Sequence, residues 1–100
     1  MADPIYIIGN THKFLLIAEK DGVAWDITGG TITLYLEKPN GALLTKSATI
    51  ISGPAGTAYY TTLTTDLSAA GRWKRWWKVV VGSIEIEYGP YFFNVRASAA

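Results

Sequence analysis

Three of the chain's four tryptophans and four of its nine basic residues occupy seven consecutive positions, Arg72-Trp73-Lys74-Arg75-Trp76-Trp77-Lys78. Flat rings beside cations can stack on bases, sugars or guanidinium planes, and the cations can hold phosphate or carboxylate. Strand geometry divides the run, because successive side chains point to opposite faces. Trp73, Arg75, Trp77, Val79 and Val81 fall on one face, and Arg72, Lys74, Trp76, Lys78 and Val80 on the other. The first set supplies large apolar side chains for a core. Arg75 is its awkward member and must reach the rim, meet an acid or stack on a ring. The second set is basic and centred on Trp76, so Arg72, Lys74, Trp76 and Lys78 form the candidate interaction face.

Three kinds of partner suit that face: a protein, including a second copy of the chain; single-stranded nucleic acid; or a sugar ring laid on Trp76 with Tyr35 or Tyr59 assisting. The plainest alternative is a loop or terminus that simply covers Trp76. Trp and Arg are typical anchors of protein interfaces. With a net charge of +1 and one outward Trp, a protein partner leads and nucleic acid is not expected.

Other chemistries find little support. Cys is absent, which removes disulfides, thiolate metal sites and a Cys nucleophile. The single His removes any multi-histidine metal site. It would also have to serve every nucleophile–base pair, whereas His12 beside Lys13 reads as a surface or rim residue. Glu85 and Glu87 share a strand face at roughly 6.5–7 Å, a spacing that glycosidases use. An outward face opposite Lys78 offers them neither a cleft nor a raised pKa. Asp21, Gly22 and Asp26 lack the dense acidic alternation of a calcium loop and read as turn and cap residues. Gly53-Pro54-Ala55-Gly56 lacks the Lys and helix of a phosphate loop. No catalytic, cofactor-binding or metal-binding residue is assigned, and the chain is expected not to be an enzyme.

The elements that position these residues are strands. One hundred residues, 49% hydrophobic and 17% charged, suit a single domain over 1–100 with an ordered core of about 4–96. Gly- and Pro-rich turn signals recur roughly every ten residues between runs of Ile, Val, Thr, Tyr and Trp, as in a sandwich or barrel. Seven strands are expected near 4–8, 13–20, 31–38, 43–51, 57–63, 72–81 and 84–95. Gly82-Ser83 is a two-residue hairpin turn, and its register pairs Val79 with Ile86, Trp77 with Tyr88 and Lys78 with Glu87. Gly89-Pro90 marks a bulge, after which Tyr91, Phe93 and Val95 return to the core face. Residues 66–70 suit one helical turn ended by Gly71. The expected core is Ile7, Phe14, Leu16, Ile32, Leu34, Leu36, Tyr60, Leu67, Trp73, Trp77, Val79, Ile86, Phe93 and Val95. No apolar stretch approaches a membrane span and no leader is visible, so the reading is a soluble chain with no membrane insertion.

In residues 21–36, Asp21-Gly22-Val23-Ala24-Trp25-Asp26-Ile27-Thr28-Gly29-Gly30-Thr31-Ile32-Thr33-Leu34-Tyr35-Leu36 resembles a "dG-x-p-x-dLTga-x-v-x-l-x-l" segment. That segment belongs to immunoglobulin-like domains of tailed-phage virion proteins, among them the N-terminal domains of baseplate upper proteins. Lys38-Pro39-Asn40-Gly41 is similar to the family's "k-x-p-dG" hairpin, and Gly56-Thr57-Ala58-Tyr59-Tyr60 to "G-x-v-x-Y". Asp66-Leu67 with Gly71-Arg72-Trp73 resembles "dL-x(3)-G-x-Y", Trp73 replacing the usual Tyr, and Phe93-Asn94-Val95 resembles "F-x-V". The order and spacing of these segments span about residues 5–95. The resemblance implies an immunoglobulin-like antiparallel β-sandwich of about seven strands. It also implies a virion structural protein of tail, baseplate, neck or capsid, made in the host cytoplasm, without cofactor or catalysis. Its partners would be other virion proteins, with a homo-oligomer or a host-surface glycan as further occupants of the Trp76 face.

Overall fold

A computed structural model describes residues 5–63 and 65–97. Its elements are β1 (Ile5–Ile7), β2 (Lys13–Ile17), β3 (Glu19–Lys20), β4 (Val23–Ala24), β5 (Thr31–Glu37), β6 (Leu43–Ser47), β7 (Thr49–Ser52), β8 (Thr57–Thr61), β9 (Gly71–Val81) and β10 (Ile84–Arg96). A five-stranded sheet in the order β1-β10-β9-β5-β6 faces a three-stranded sheet β2-β8-β7, and β3-β4 form a small hairpin. The fold is an all-β sandwich. Alternation explains the packing: in β5, Ile32, Leu34 and Leu36 are buried while the residues between them are not, and in β2 Phe14 and Leu16 are buried between exposed neighbours.

Among the described residues ten strands replace the seven expected, because two expected strands divide and one is new. The 43–51 stretch leaves one sheet and enters the other at Ala48, whose N–H donates to the Ile32 carbonyl at 3.0 Å. The 13–20 stretch breaks at Ala18, which donates to Gly56 O at 2.7 Å and accepts from Trp25 N–H at 3.0 Å. Val23–Ala24 is the added strand and pairs with Glu19–Lys20. The sandwich is antiparallel except where β1 runs parallel to β10. Residues 65–70 form turns and bends and not the expected helical turn. Asp66 takes over there, as its carboxylate accepts from the Tyr60 hydroxyl at 2.5 Å and from Leu63 N–H at 2.8 Å.

The β9–β10 hairpin has the expected register, with Val79 opposite Ile86, Trp77 opposite Tyr88 and Lys78 opposite Glu87, and the register shifts between Tyr88 and Tyr91. Lys78, however, forms its ion pair with Glu85, the diagonal neighbour, at 2.5 Å. A long side chain reaches diagonally across a twisted pair as readily as straight across. Phe93 and Val95 are buried, whereas Tyr91 is 48% exposed at the sandwich's side.

Thirteen of the fourteen expected core residues are buried or partly buried against the core. Ile7 is the exception; Tyr6 and Ile8 pack there instead, because a shift of one residue exchanges the faces of a strand. Ala18, Trp25, Ile27 and Ala58 complete the core. Trp73 is fully buried, lies 5.8 Å from the Phe93 ring and donates its Nε1–H to the Ala69 carbonyl at 2.8 Å. Trp73→Phe keeps a ring but removes that donor and leaves unfilled space. A loss of about 2 kcal/mol is expected in urea unfolding, and an unchanged midpoint would show that neither matters.

Candidate interaction face

The five-stranded sheet buries one side in the sandwich. Its other side carries the candidate residues. The cross-strand register builds that surface in rows: Leu43, Glu37, Lys74 and Phe92; then Thr45, Tyr35 and Trp76; then Ser47, Thr33, Lys78 and Glu87. Arg72, Lys74, Trp76 and Lys78 therefore lie on one face, as the period-two reading placed them.

At the centre, Trp76 stacks on its cross-strand partner Tyr35, with ring centres 5.3 Å apart and 15° between planes. The Lys74 ammonium stands 5.2 Å from the Trp76 ring centre. Arg72 lies 4.3 Å over the Phe92 ring. Trp76 is half-buried, and the rings and cations around it belong to its own face. Phe92 also lies on this face, a member the sequence did not single out. Its place follows only once the bulge before Tyr91 has been counted into the register. Tyr59, by contrast, lies on the three-stranded sheet under the Lys13 ammonium, 4.6 Å from its ring centre. It cannot assist Trp76.

The bulge shapes a groove of about 330 Å³ lined by Lys74, Trp76, Glu87, Tyr88, Gly89 and Pro90. Gly89 has φ +119°, and a Cβ there would sit 3.2 Å from the Trp76 Cβ. Glycine thus lets the bulged chain lie close against the tryptophan. The hydrogen bond and charge of Glu85, with further help from nearby groups, raise the Lys78 pKa, so Lys78 stays charged and satisfied. Glu37 faces Lys74 in the register. The face is therefore mixed in charge, with an aromatic and apolar middle.

His12 and Asp26 have local structural partners. His12 packs on Tyr6 with ring centres 4.2 Å apart, and burial lowers its pKa. Asp26 accepts from both the N–H and hydroxyl of Thr28 at 3.0 and 2.6 Å, which lowers its pKa and makes it a turn residue. Among the described residues no group of three or more His, Asp or Glu could hold a metal, and no helix is long and apolar enough to cross a membrane.

No protein-family model and no curated protein sequence matches the chain. Its structure is similar to the N-terminal domain of phage TP901-1 ORF48, with a TM-score of 0.64 and 15% sequence identity, over 96% of this chain and 84% of that one. The likeness is one of fold, and it agrees with the resemblance to phage virion domains carried by residues 5–95.

Proposed function

Starting from the fold shared with a phage domain, we propose that this chain is a non-enzymatic structural component of a phage virion, an immunoglobulin-like module that works through protein–protein assembly contacts. The observation that carries the reading is the stacked Tyr35–Trp76 pair on an open sheet face, flanked by Lys74, Arg72 and Phe92. Aromatic and Arg anchors ringed by mixed charge are the chemistry of interface hot spots. Exposed Leu43 and Phe92 extend the apolar surface beyond the groove, which suits a broad protein partner better than one small ligand.

A phage carrying Trp76→Ala tests this. The variant protein should fold, while its binding to its virion partner should weaken about 30-fold, equivalent to about 2 kcal/mol at a hot spot. The measurement is the amount of chain in purified particles by quantitative mass spectrometry. Absence of the wild-type chain from particles would sink the reading. The second reading is a host-surface glycan held in the groove beside Trp76, with Lys74 and Glu87 as polar contacts. It predicts retention on host-envelope polysaccharide that Trp76→Ala abolishes while incorporation into particles stays normal.

A further inference from the structure

On its inward face β9 holds a different chemistry. The Arg75 guanidinium lies between Phe14 and Tyr91, 4.8 and 4.7 Å from their ring centres. Among the described residues no carboxylate pairs with it. Its Nη1 is buried without a hydrogen-bond partner. Two residues along, Trp77 is only 1% exposed, and its Nε1–H likewise has no acceptor. Buried donors normally have partners, and an unpaired buried charge is costly. Burial lowers the Arg75 pKa, yet a guanidinium stays protonated in proteins. Arg75 and Trp77 both line a cleft of about 250 Å³ whose other walls are Leu15, Leu16, Ile17 and Tyr91.

The cleft runs beside an open strand edge. Among the described residues β2 has one hydrogen-bonded neighbour, β8. Thr62 N–H donates to His12 O and Ala18 N–H to Gly56 O, so the even-numbered residues of β2 turn their main chain toward β8. Antiparallel alternation leaves the main-chain groups of Lys13, Leu15 and Ile17 aimed at the free edge. Leu15 and Ile17 are also 50% and 60% exposed.

We propose that an extended segment of a partner protein adds to β2 as a further strand and delivers one Asp or Glu carboxylate into the cleft, onto Arg75 and Trp77. Such strand addition takes its affinity from main-chain hydrogen bonds and its specificity from a side-chain pocket. A carboxylate has two oxygens, one for each unpartnered donor, and supplies the charge that Arg75 lacks. Charge-assisted bonds of this kind are strong, and both donors are already withheld from water. The half-exposed Tyr91 ring forms one wall of the cleft it would enter. This site is separate from the Trp76 face and does not depend on it.

The test uses the labelled full chain and two probe peptides, acetyl-Thr-Val-Glu-Val-Thr-amide and its Gln counterpart, followed by NMR. The Glu peptide should shift the Trp77 indole N–H and the Leu15 and Ile17 amides saturably, and the Gln peptide should bind about tenfold more weakly. Arg75→Met should erase that preference while the variant still folds, as its thermal unfolding checks. If that variant does not fold, Trp77→Phe replaces it and should weaken the Glu peptide about threefold or more. Three outcomes overturn the proposal: no movement at Trp77, equal binding of the two peptides, or self-association that protects Leu15 and Ile17, which would make a second copy the occupant.

Discussion

Asp66→Ala is expected to lower stability by about 3 kcal/mol or more, read as a loss of urea midpoint at constant slope. The carboxylate is 4% exposed and serves three partners: the Tyr60 hydroxyl, Leu63 N–H and the Lys46 ammonium, 3.1 Å away. Alanine would leave the first two without an acceptor and Lys46 without its counter-charge. Lys46 is partly exposed and can turn to water, which keeps the expectation at the lower end for a broken buried pair. Acidity should tell the same story. Burial alone would raise the Asp66 pKa, but the hydrogen bonds from Tyr60 and Leu63 and the charge of Lys46 outweigh it and hold the group below its ordinary value. The unfolded chain therefore binds this proton first. The stabilisation is complete above the unfolded pKa and disappears as pH falls from about 4 through the lower folded value. Asp66→Asn keeps an acceptor but not the charge, so its stability should fall less steeply with acid than that of the wild type. Equal slopes would mean that Asp66 is not the group responsible.

Gly56→Ala should be comparably severe, at about 2–5 kcal/mol. Gly56 has φ +73°, and an added Cβ would lie 2.5 Å from Ala18 O and 2.6 Å from Trp25 O. The left-handed backbone contributes about 1–2 kcal/mol of that loss and the overpacking about 1–3 kcal/mol. The obstructing oxygens cannot retreat easily. Ala18 O accepts from Trp25 N–H, and Ala18 N–H is bonded to Gly56 O itself. Gly22→Ala is the matched control, since Gly22 has φ +82° but nothing within 4 Å of the added carbon. Thermal unfolding of both variants should show the Gly56 substitution costing clearly more. Equal losses would remove the clash from the explanation.

The parts of this fold legible in the sequence are those that local geometry decides. The β9–β10 register follows from a two-residue turn and period-two alternation, and every expected pair occurs. The four-residue basic face follows from the same alternation. What stayed hidden depends on distant partners. Residues 43–51 read as one strand because every residue suits one; the change of sheet at Ala48 is set by its bond to Ile32 in β5. Trp25 and Ile27 read as loop residues between turn signals, yet the turn around Asp26 folds both side chains into the core. Tyr35 meets Trp76 only through the pairing of strands some forty residues apart. Arg75 announced itself as misplaced on an apolar face. That it would stack on Phe14 and Tyr91 could not be read without the sandwich.

The parallel pairing of β1 with β10 bears on how the domain carries a pull. Ile5, Tyr6 and Ile7 lie beside Asn94, Val95 and Arg96, and Ile8 N–H donates to Arg96 O at 2.9 Å. Tension applied through the two ends of the described chain draws β1 and the end of β10 in opposite directions along a shared axis. Their hydrogen bonds are then loaded in shear, all together, and not opened one after another as at the end of a hairpin. Loaded in this way, the β1–β10 seam would yield abruptly and stay intact below that force.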